Sequence, residues 1–386
     1  MRAALDDSLS AAAHKSASRR IASLDWARGI MLVASVVSNS LIAPPKWFEH
    51  ARWSGIHPVD VIFPMFVTLS GCGLAFAMHR RVKVGPLARR FVVLMVVGLA
   101  YNAILAWSVD VATWRVTGVL QLYAVLVVLM GLLHLVTRSW RGWAVLTVLL
   151  AVAHTMVLGL YARSCPSGVL TRECNPSGPL DSLLFGANHI YALGQAGHDP
   201  EGLVAILGAL VSAAAGATVG HLLLSLTGGG EARPRLRSVA ALCAAAAGFL
   251  LLMVALGLLA AQMGFELPFA KRIWTAPFAL VIAAGTTVLL LVGHLLLDRV
   301  PLAAAVGWAS YPLLALGRNS LLVYFGSHVL MSLLRRPFGE APSVVERYSA
   351  AMTSPVEAQI VWSLALLAFW VVVAALLHWR RIYVRA

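Results

Sequence analysis

Three observations in the sequence predict an all-α, polytopic membrane protein with about ten transmembrane helices. Hydrophobic residues make up 60% of the 386 residues and charged residues only 12%, whereas typical soluble domains carry about 25% charged residues. The mean hydropathy is +0.82. The apolar residues form long runs, and a run of about 20 such residues crosses a bilayer as a helix. This composition excludes a water-soluble enzyme, a disordered tail and a coiled coil.

Ten apolar runs are the predicted membrane spans. The first run follows Ser23, a candidate N-cap residue, and has Asp25 in its first turn, where the helix dipole favours negative charge. The ninth run is longer than one bilayer crossing and contains Pro312 and Gly317, so we expect it to be broken or interfacial at its start. In chain order the runs are 24–44, 59–79, 91–108, 117–136, 143–162, 202–224, 239–261, 276–297, 304–333 and 357–378.

Positive charge in the connections predicts the orientation. Ten spans place both termini on one side, and that side holds 18 Lys and Arg residues against ten on the other. Because cytoplasmic loops carry the excess of positive charge, both termini are predicted to be cytoplasmic, in a multi-pass protein of the plasma (inner) membrane. Residues 1–22 and 380–386 are then cytoplasmic tails around a transmembrane domain at 23–379. The net charge of +14 is explained by loops that face anionic lipid, so no nucleic-acid partner is predicted.

One connection on the predicted extracytoplasmic side, residues 163–201, is too long to be a simple link. It is rich in Pro, Gly, Asn and His, which favours a substrate-facing role. Cys165 and Cys174 lie within it. In an oxidising compartment they form a disulfide, which is the favoured interpretation, and the alternative is two free thiols.

Charged side chains inside membrane spans are costly and are functional candidates. Asp25 and Arg28 are three residues apart on one helix face, which suits either a structural ion pair or an arginine that binds a phosphorylated cytosolic ligand. Arg318 reaches a similar depth if the ninth run is broken. A second arginine at the same depth strengthens the phosphate interpretation, because guanidinium pairs with phosphate bidentately.

Asn39 and His50 are the candidate catalytic residues. His50 lies in a segment with Trp47, Trp53 and Gly55 that suits a loop held at the membrane interface. An imidazole takes and returns a proton near neutrality and can attack an activated acyl group. A carboxamide can donate to a carbonyl oxygen that becomes negative. Together these two residue types favour acyl transfer.

Other chemistries lack their motifs. The sequence contains no GxxxxGK[ST] phosphate loop, no HExxH and no CxxC pair. No metal ligand set is predicted.

Several motifs resemble one known family in order along nearly the whole chain. They are RIASLDWARG at 20–29, Asn39, HARWSGIHPVDVIFPMF at 50–66, RVTGVLQ at 115–121, CPSG at 165–168, LDSLLFGANHIY at 180–191, DPEG at 199–202, LPFAKRIWTAPF at 267–278 and GRNSLLVYFG at 317–326. In these motifs the chain resembles the heparan-α-glucosaminide N-acetyltransferase family of transmembrane acyltransferases, as a compact member of bacterial type. After the last motif the family can place a histidine, whereas this chain has Ser327 there and His328 next.

The resemblance implies that residues 23–379 move an acetyl group from cytosolic acetyl-CoA, the acyl donor, to an amino sugar or glycan on the extracytoplasmic side. His50 matches the family's catalytic histidine and Asn39 its active-site asparagine. The loop 163–201 matches a family loop that includes both Cys165 and Cys174. The candidate cofactor-binding residues are Arg28, Arg318, Asn319 and Ser320, and the candidate substrate-binding residues are Trp53, Asp60, His189 and Glu201.

A different class of function stays open at this point. Ten spans, a broken ninth run and polar residues at membrane depth also suit a transporter or flippase of a polar or lipid-linked solute. A homodimer is compatible with either function. The sequence does not identify the acceptor, the length of the acyl chain, or the route of transfer, which is either direct or through an acetyl-histidine.

Overall fold

The long apolar runs form helices throughout the part of the chain that the structure describes. The computed structural model describes residues 21–227, 235–298, 302–337 and 339–384. The predicted N-terminal tail, residues 1–22, therefore lies almost wholly outside the described residues. The helices are α1 Ala22–Ser40, α2 Pro58–Met78, α3 Val84–Ala106, α4 Val119–Val136, α5 Trp140–Ala162, α6 Ser177–Phe185, α7 Leu203–Thr227, α8 Arg235–Gln262, α9 Ala276–Leu297, α10 Leu302–Arg318, α11 Ser320–Arg335, α12 Val344–Ala351 and α13 Pro355–Trp379.

The all-α, polytopic membrane fold predicted from the sequence is confirmed. Within the described residues, eight helices are long and apolar enough to cross a membrane: α2, α3, α4, α5, α7, α8, α9 and α13. Helix α1 is long enough, but its polar residues, among them Asp25 and Arg28, lower its mean hydropathy. The run 304–333 is broken into α10 and α11 at Asn319, whereas Pro312 lies inside α10. The side on which each terminus lies stays a prediction.

Polar residues and prolines mark where several helices begin. The Ser139 hydroxyl accepts a hydrogen bond from the Gly142 amide at 3.1 Å before α5. Helix α2 begins with Pro58, which lacks an N–H that would have no partner in the first turn. Its third residue is Asp60, whose carboxylate accepts from the His57 amide at 3.1 Å. This cap directs the Asp60 side chain back toward the loop that precedes α2.

Helix α7 is the centre of the bundle, since 89% of its most apolar window is buried. Glycines let it approach α2 at backbone distance. A Cβ atom added at Gly216 would lie 1.9 Å from the Thr68 carbonyl oxygen, and one at Gly71 would lie 2.0 Å from that of Ala213. Small residues at helix contacts are the usual means of tight packing within a membrane. Helix α2 is thereby held rigidly on the bundle core.

Helices α1 and α10 pack in the same way. A Cβ atom added at Gly29 would lie 2.1 Å from the Leu313 carbonyl oxygen, and one at Gly317 would lie 1.7 Å from that of Asp25. This contact brings Arg318 beside the first turns of α1, although almost 300 residues separate them in the chain.

Hydrogen bonds join the loops at one end of the bundle. We call this end the loop end; it comprises residues 41–57, 107–118, 163–202 and 263–275. The Gly55 amide donates to the Phe269 carbonyl at 2.8 Å, and the Val116 amide donates to the His189 carbonyl at 2.9 Å. The loop end carries the candidate catalytic histidine.

Candidate active site

His50 lies in the loop between α1 and α2 and is paired with the first turn of α2. Its Nδ1 atom is 2.7 Å from Oδ1 of Asp60. The other carboxylate oxygen of Asp60 accepts from the backbone amides of Ala51, at 3.0 Å, and His57, at 3.1 Å. The buried Asp60 carboxylate therefore binds both the His50 imidazole and the backbone amides at the two ends of the segment 51–57.

The pair differs sharply in exposure. The Asp60 side chain is 1% exposed and the His50 side chain 49%. An ionised carboxylate can only accept hydrogen bonds, so the proton of a neutral imidazole lies on Nδ1 and the lone pair on Nε2. The ring thus presents a basic nitrogen away from its buried partner, which is the arrangement that a general base or a nucleophile needs.

Lys271 completes this cluster. It lies in the single 3-10 turn Lys271–Ile273 between α8 and α9. Its Nζ atom is 3.1 Å from Nδ1 of His50 and 3.5 Å from Oδ1 of Asp60. Burial lowers the pKa of the Lys271 ammonium, and the charges of Asp60 and Glu201 oppose that shift. Lys271 lies within the motif at 267–278, but its contact with His50 could not be predicted from the sequence.

The turn that carries Lys271 is held from several sides. The Thr275 hydroxyl donates to the Pro268 carbonyl at 2.7 Å. The buried Trp274 indole donates to the Ser212 hydroxyl of α7 at 3.0 Å. Together with the hydrogen bond from Gly55 to Phe269, these contacts fix the Lys271 turn relative to the His50 loop.

Asn39 lies at the same end of the bundle, in the last turn of α1. Its side-chain amide donates to the Ser327 carbonyl of α11 at 3.2 Å. The Arg335 guanidinium donates to the Asn39 carbonyl at 3.3 Å and to the Leu41 carbonyl at 2.8 Å. Among the contacts of the described residues, none joins the side chains of Asn39 and His50.

Three candidate substrate-binding residues hold loops together. The Trp53 indole donates to the Leu170 carbonyl at 2.8 Å, and Nδ1 of His189 is 2.9 Å from the Trp114 carbonyl. Glu201 accepts from Arg115 at 2.7 Å. Asp60, the fourth candidate, is bound to His50 and Lys271. These contacts fix the walls of the loop end, and substrate binding by these residues stays a prediction.

Arg115, the first residue of the motif at 115–121, is a second residue whose contacts could not be predicted from the sequence. Its guanidinium also donates to the fully buried Asp199 at 3.0 Å. Asp199 in turn accepts from the Thr117 hydroxyl. The carboxylates of Glu201 and Asp199 raise the pKa of Arg115 against the opposing effect of burial. This network connects the loop before α4 with the loop before α7. Its residues lie in the motifs at 115–121 and 199–202.

In the loop 163–201, the structure joins Cys165 and Cys174 in a disulfide with a Cα–Cα distance of 5.8 Å. Asp181, in α6, is fully buried and accepts from the Ser177 hydroxyl and from the Leu203 amide, both at 2.7 Å. Burial raises the pKa of Asp181 to about 6. The loop is therefore an ordered part of the loop end.

Arginines gather away from the loop end, around Asp25 of α1. One Asp25 oxygen is 3.8 Å from Arg28, and the other accepts from Nε of Arg318 at 3.2 Å. Arg28 also donates to the Leu69 carbonyl at 3.4 Å, roughly 16 Å along α2 from its first residue at 1.5 Å per residue. Arg90 interacts electrostatically with Arg28, and its Nε atom is buried without a hydrogen-bond partner. We call Asp25, Arg28, Arg90 and Arg318 the arginine cluster; its net charge is plus two.

The other two candidate cofactor-binding residues follow Arg318. Asn319 is fully buried and donates to the Ala315 carbonyl of its own turn at 3.3 Å, while its Oδ1 atom is buried without a partner. Ser320 is the first residue of α11.

A shallow depression of about 480 Å³ lies elsewhere, between α8 and residues 264–268, and residues of the His50 cluster do not line it.

Comparison with known proteins shows what the chain resembles. Residues 20–168 match the family model described as "Heparan-alpha-glucosaminide N-acetyltransferase, catalytic". This segment includes Asn39, His50 and Asp60. The resemblance to that family predicted from the sequence is confirmed.

Curated relatives in the heparan-alpha-glucosaminide N-acetyltransferase family align with most of this chain. The protein of that name from Homo sapiens is 25% identical over 94% of this chain and 59% of its own length. The protein of the same name from Mus musculus is 23% identical over 96% of this chain and 61% of its own length. The chain thus spans about three-fifths of the length of these relatives, and the alignments include the Lys271 turn and the α10–α11 break as well as His50.

Proposed function

We propose that this protein is a membrane acetyltransferase that moves the acetyl group of acetyl-CoA to the amine of an amino sugar. One observation carries the proposal: His50 presents Nε2 from the loop end while a buried carboxylate holds Nδ1 at 2.7 Å. A positioned imidazole of this kind serves acyl transfer as a base or a nucleophile. The names of the relatives support the choice of acetyl group and amino sugar.

The arginine cluster is the proposed site for the phosphates of the donor. Its excess of positive charge is two. Arg28 also contacts the Leu69 carbonyl and Arg318 also contacts Nε2 of His378, and each guanidinium keeps further N–H groups beyond these contacts and Asp25. Guanidinium groups bind phosphate oxygens with charge-assisted hydrogen bonds. Arg28 lies at the level of Leu69, well inside the span of α2, so a thioester on the flexible arm of the donor extends toward the loop end. Asn319 and Ser320, adjacent to Arg318, complete the proposed site.

In direct transfer, the neutral amine of the sugar attacks the thioester carbonyl carbon and forms the C–N bond. His50 Nε2 takes the proton that the amine loses, and Asp60 stabilises the imidazolium. The oxyanion of the tetrahedral intermediate accepts from the second N–H of Asn39, whose first N–H is held by Ser327. The C–S bond then breaks, and the thiolate of coenzyme A receives the proton from His50. The alternative route passes through an acetyl group on Nε2.

The proposed orientation places the loop end outside the cytoplasm and the arginine cluster toward the cytosol, as the charge distribution predicts. Coenzyme A is polyanionic and stays on the cytosolic side. The acceptor enters between the loops 41–57 and 163–202, whose surfaces include Trp53, His189 and Glu201. Only the acetyl group crosses the membrane.

The function is tested with purified protein in detergent, labelled acetyl-CoA and glucosamine. We expect labelled N-acetylglucosamine and free coenzyme A in equal amounts, and no product with glucose, which lacks the amine. Quenching the reaction before glucosamine is added separates the two routes, because label on the protein marks the acetyl-histidine route. Protein that is folded and binds acetyl-CoA, yet transfers its acetyl group to no amino sugar, would contradict the proposal.

Removal of either arginine is expected to weaken donor binding. Arg28→Ala and Arg318→Ala should each raise the Kd for acetyl-CoA by about tenfold or more, because a hydrogen bond to a charged group contributes about 1.5–3 kcal/mol. Each variant leaves Asp25 one arginine partner, so the buried carboxylate stays paired. The Kd is measured by equilibrium binding of labelled acetyl-CoA, with the exposed Arg347→Ala as the control. An unchanged Kd in both variants rejects the phosphate site.

A further inference from the structure

We propose that helix α6 lies in the plane of the membrane surface at the loop end, with its outward face in contact with lipid acyl chains. The inference goes beyond the proposed function, because it concerns a part of the connection 163–201 that the sequence places outside the membrane. Two observations carry it. The polarity of α6 is the reverse of that of a helix in water, and hydrogen bonds hold the chain next to α6 alongside a membrane span.

The polar side of α6 faces the protein and its apolar side faces outward. Its one charged residue, Asp181, is fully buried and accepts from the Ser177 hydroxyl and from the Leu203 amide, both at 2.7 Å. A helix beside water instead presents its polar residues outward. The exposed residues of α6 are all apolar: Pro179, Leu180, Leu183, Leu184 and Phe185.

The exposed leucines form one stripe along α6. Leu180, Leu183 and Leu184 follow each other at the spacing of three and four that aligns side chains on a helix face, and Leu183 is 81% exposed. The nine residues of α6 make a helix about 14 Å long and about 10 Å wide. Such a face is much smaller than the surface of about 800 Å² per partner that a stable protein complex buries. Lipid contact requires no minimum area, so acyl chains fit this stripe better than a second protein.

Hydrogen bonds hold the loop before α4 against the side of α3. The Asn102 side chain of α3 donates to the carbonyls of Arg115 and Thr117, at 2.9 Å and 2.7 Å. The Trp114 indole donates to the Leu99 carbonyl of α3 at 3.1 Å. Leu99 and Asn102 lie within the last eight residues of α3, which span about 12 Å of helix. Residues 114–117 therefore lie beside the last turns of α3 and not beyond its end.

The chain that follows α6 lies at the same depth. Nδ1 of His189 is 2.9 Å from the Trp114 carbonyl, and the His189 carbonyl accepts from the Val116 amide at 2.9 Å. His189 comes four residues after Phe185, the last residue of α6. The C-terminal end of α6, which carries the exposed leucines, is thereby held close to the level of the last turns of α3.

That level belongs to the membrane. Only 22% of the most apolar window of α3 is buried, so the rest of this spanning helix faces lipid. Helix α4, which packs against α3 and begins at Val119, has 18 residues and is about 27 Å long, slightly less than the hydrocarbon thickness of about 30 Å. Acyl chains therefore extend to the first residue of α4 and past it. At this level the leucine stripe continues the lipid-facing surface of α3.

The depth of α6 is measured by fluorescence quenching in phosphatidylcholine nanodiscs. Cys72 is buried, so only the exposed Cys243 is replaced, by Cys243→Ser, and the disulfide is kept. Bimane is then attached at Leu183→Cys. We expect lipid that is brominated near the top of its acyl chains to lower the bimane emission by about half, since an in-plane helix places its apolar face about 5–10 Å into the boundary between headgroups and acyl chains. Iodide in the water should quench little.

Two further labelled positions calibrate the quenchers. Val96→Cys lies on the lipid-facing side of α3, where Val96 is 61% exposed, and should be quenched by brominated lipid alone. Glu340→Cys lies in the exposed connection between α11 and α12 and should be quenched by iodide alone. Leu184→Cys is a second probe of the same stripe, used if Leu183→Cys does not give a single folded species in size-exclusion chromatography.

Each outcome decides the inference. Quenching by brominated lipid at Leu183→Cys that approaches the value at Val96→Cys supports it. Stronger quenching by iodide than by brominated lipid overturns it, because the stripe then lies in water. Protection from both quenchers also overturns it, because a second copy or another protein then covers the stripe. No outcome depends on acetyl transfer, so this inference and the proposed function are tested separately.

Discussion

His50→Ala is expected to lower kcat/KM for acetyl transfer by about 10³-fold, the largest effect of any substitution in this protein. The variant removes the nitrogen that takes the proton in the direct route and the nucleophile of the acetyl-histidine route. Initial rates with labelled acetyl-CoA and glucosamine measure the loss. The His50 ring is half-exposed, and without it the buried Asp60 carboxylate keeps Lys271 and two backbone amides as partners, so the variant should still fold.

A matched control distinguishes loss of this imidazole from a general loss of histidine. His79 is exposed and lies at the opposite end of α2, where its Nδ1 atom is 2.8 Å from the Phe76 carbonyl of its own turn. His79→Ala should retain the rate of the unmodified protein. Full transfer activity in His50→Ala would remove both proposed routes at once, whatever the result for acetyl-CoA binding.

Asp60→Asn is expected to lower the same rate by about 10²-fold or more. The carboxylate carries one imidazole and two backbone amides, from Ala51 and His57, and an amide cannot accept from all of them. An asparagine that turns its NH₂ toward His50 imposes the tautomer with the proton on Nε2, and it stabilises the imidazolium less in either orientation. Lys271 also loses the carboxylate against which it is buried.

The rate should fall with no loss of acetyl-CoA affinity, because Asp60 is separate from the arginine cluster. The control is Asp110→Asn, an exposed carboxylate that accepts from Thr113 and Ala112 within its own turn. Asp60→Asn that folds and keeps its rate within threefold would show that His50 works without a carboxylate partner. The proposed orientation of the ring would then be wrong.

The membrane fold was predictable because hydropathy acts along the chain. A run of about 20 apolar residues must form a helix in lipid, where every backbone group needs a partner within the segment. The runs therefore located the spanning helices without knowledge of their neighbours. The position of the break in run 304–333 was harder to predict from the sequence. Pro312 lies inside α10, and the chain breaks at Asn319, two residues after Gly317, which packs on Asp25.

Candidate site residues could be selected from the sequence only where the chemistry of a side chain is distinctive in isolation. His50 and Asn39 could be selected because imidazole and carboxamide support acyl transfer, and Arg28 and Arg318 because arginine is rare within spans. Trp53, His189 and Glu201 were selected on the same basis, but the structure shows each of them holding another loop. Residue type alone cannot distinguish a side chain that binds substrate from one that supports the wall around it.

Sequence alone thus predicted an all-helical membrane protein and its family resemblance, and it selected the imidazole at the centre of the proposed chemistry. The partners of that imidazole required the folded chain. Lys271 is 221 positions away from His50, and Arg318 is 293 positions away from Asp25. Hydropathy and residue chemistry are local properties, whereas a charged contact depends on how glycine-lined helices pack and on which loops they bring together.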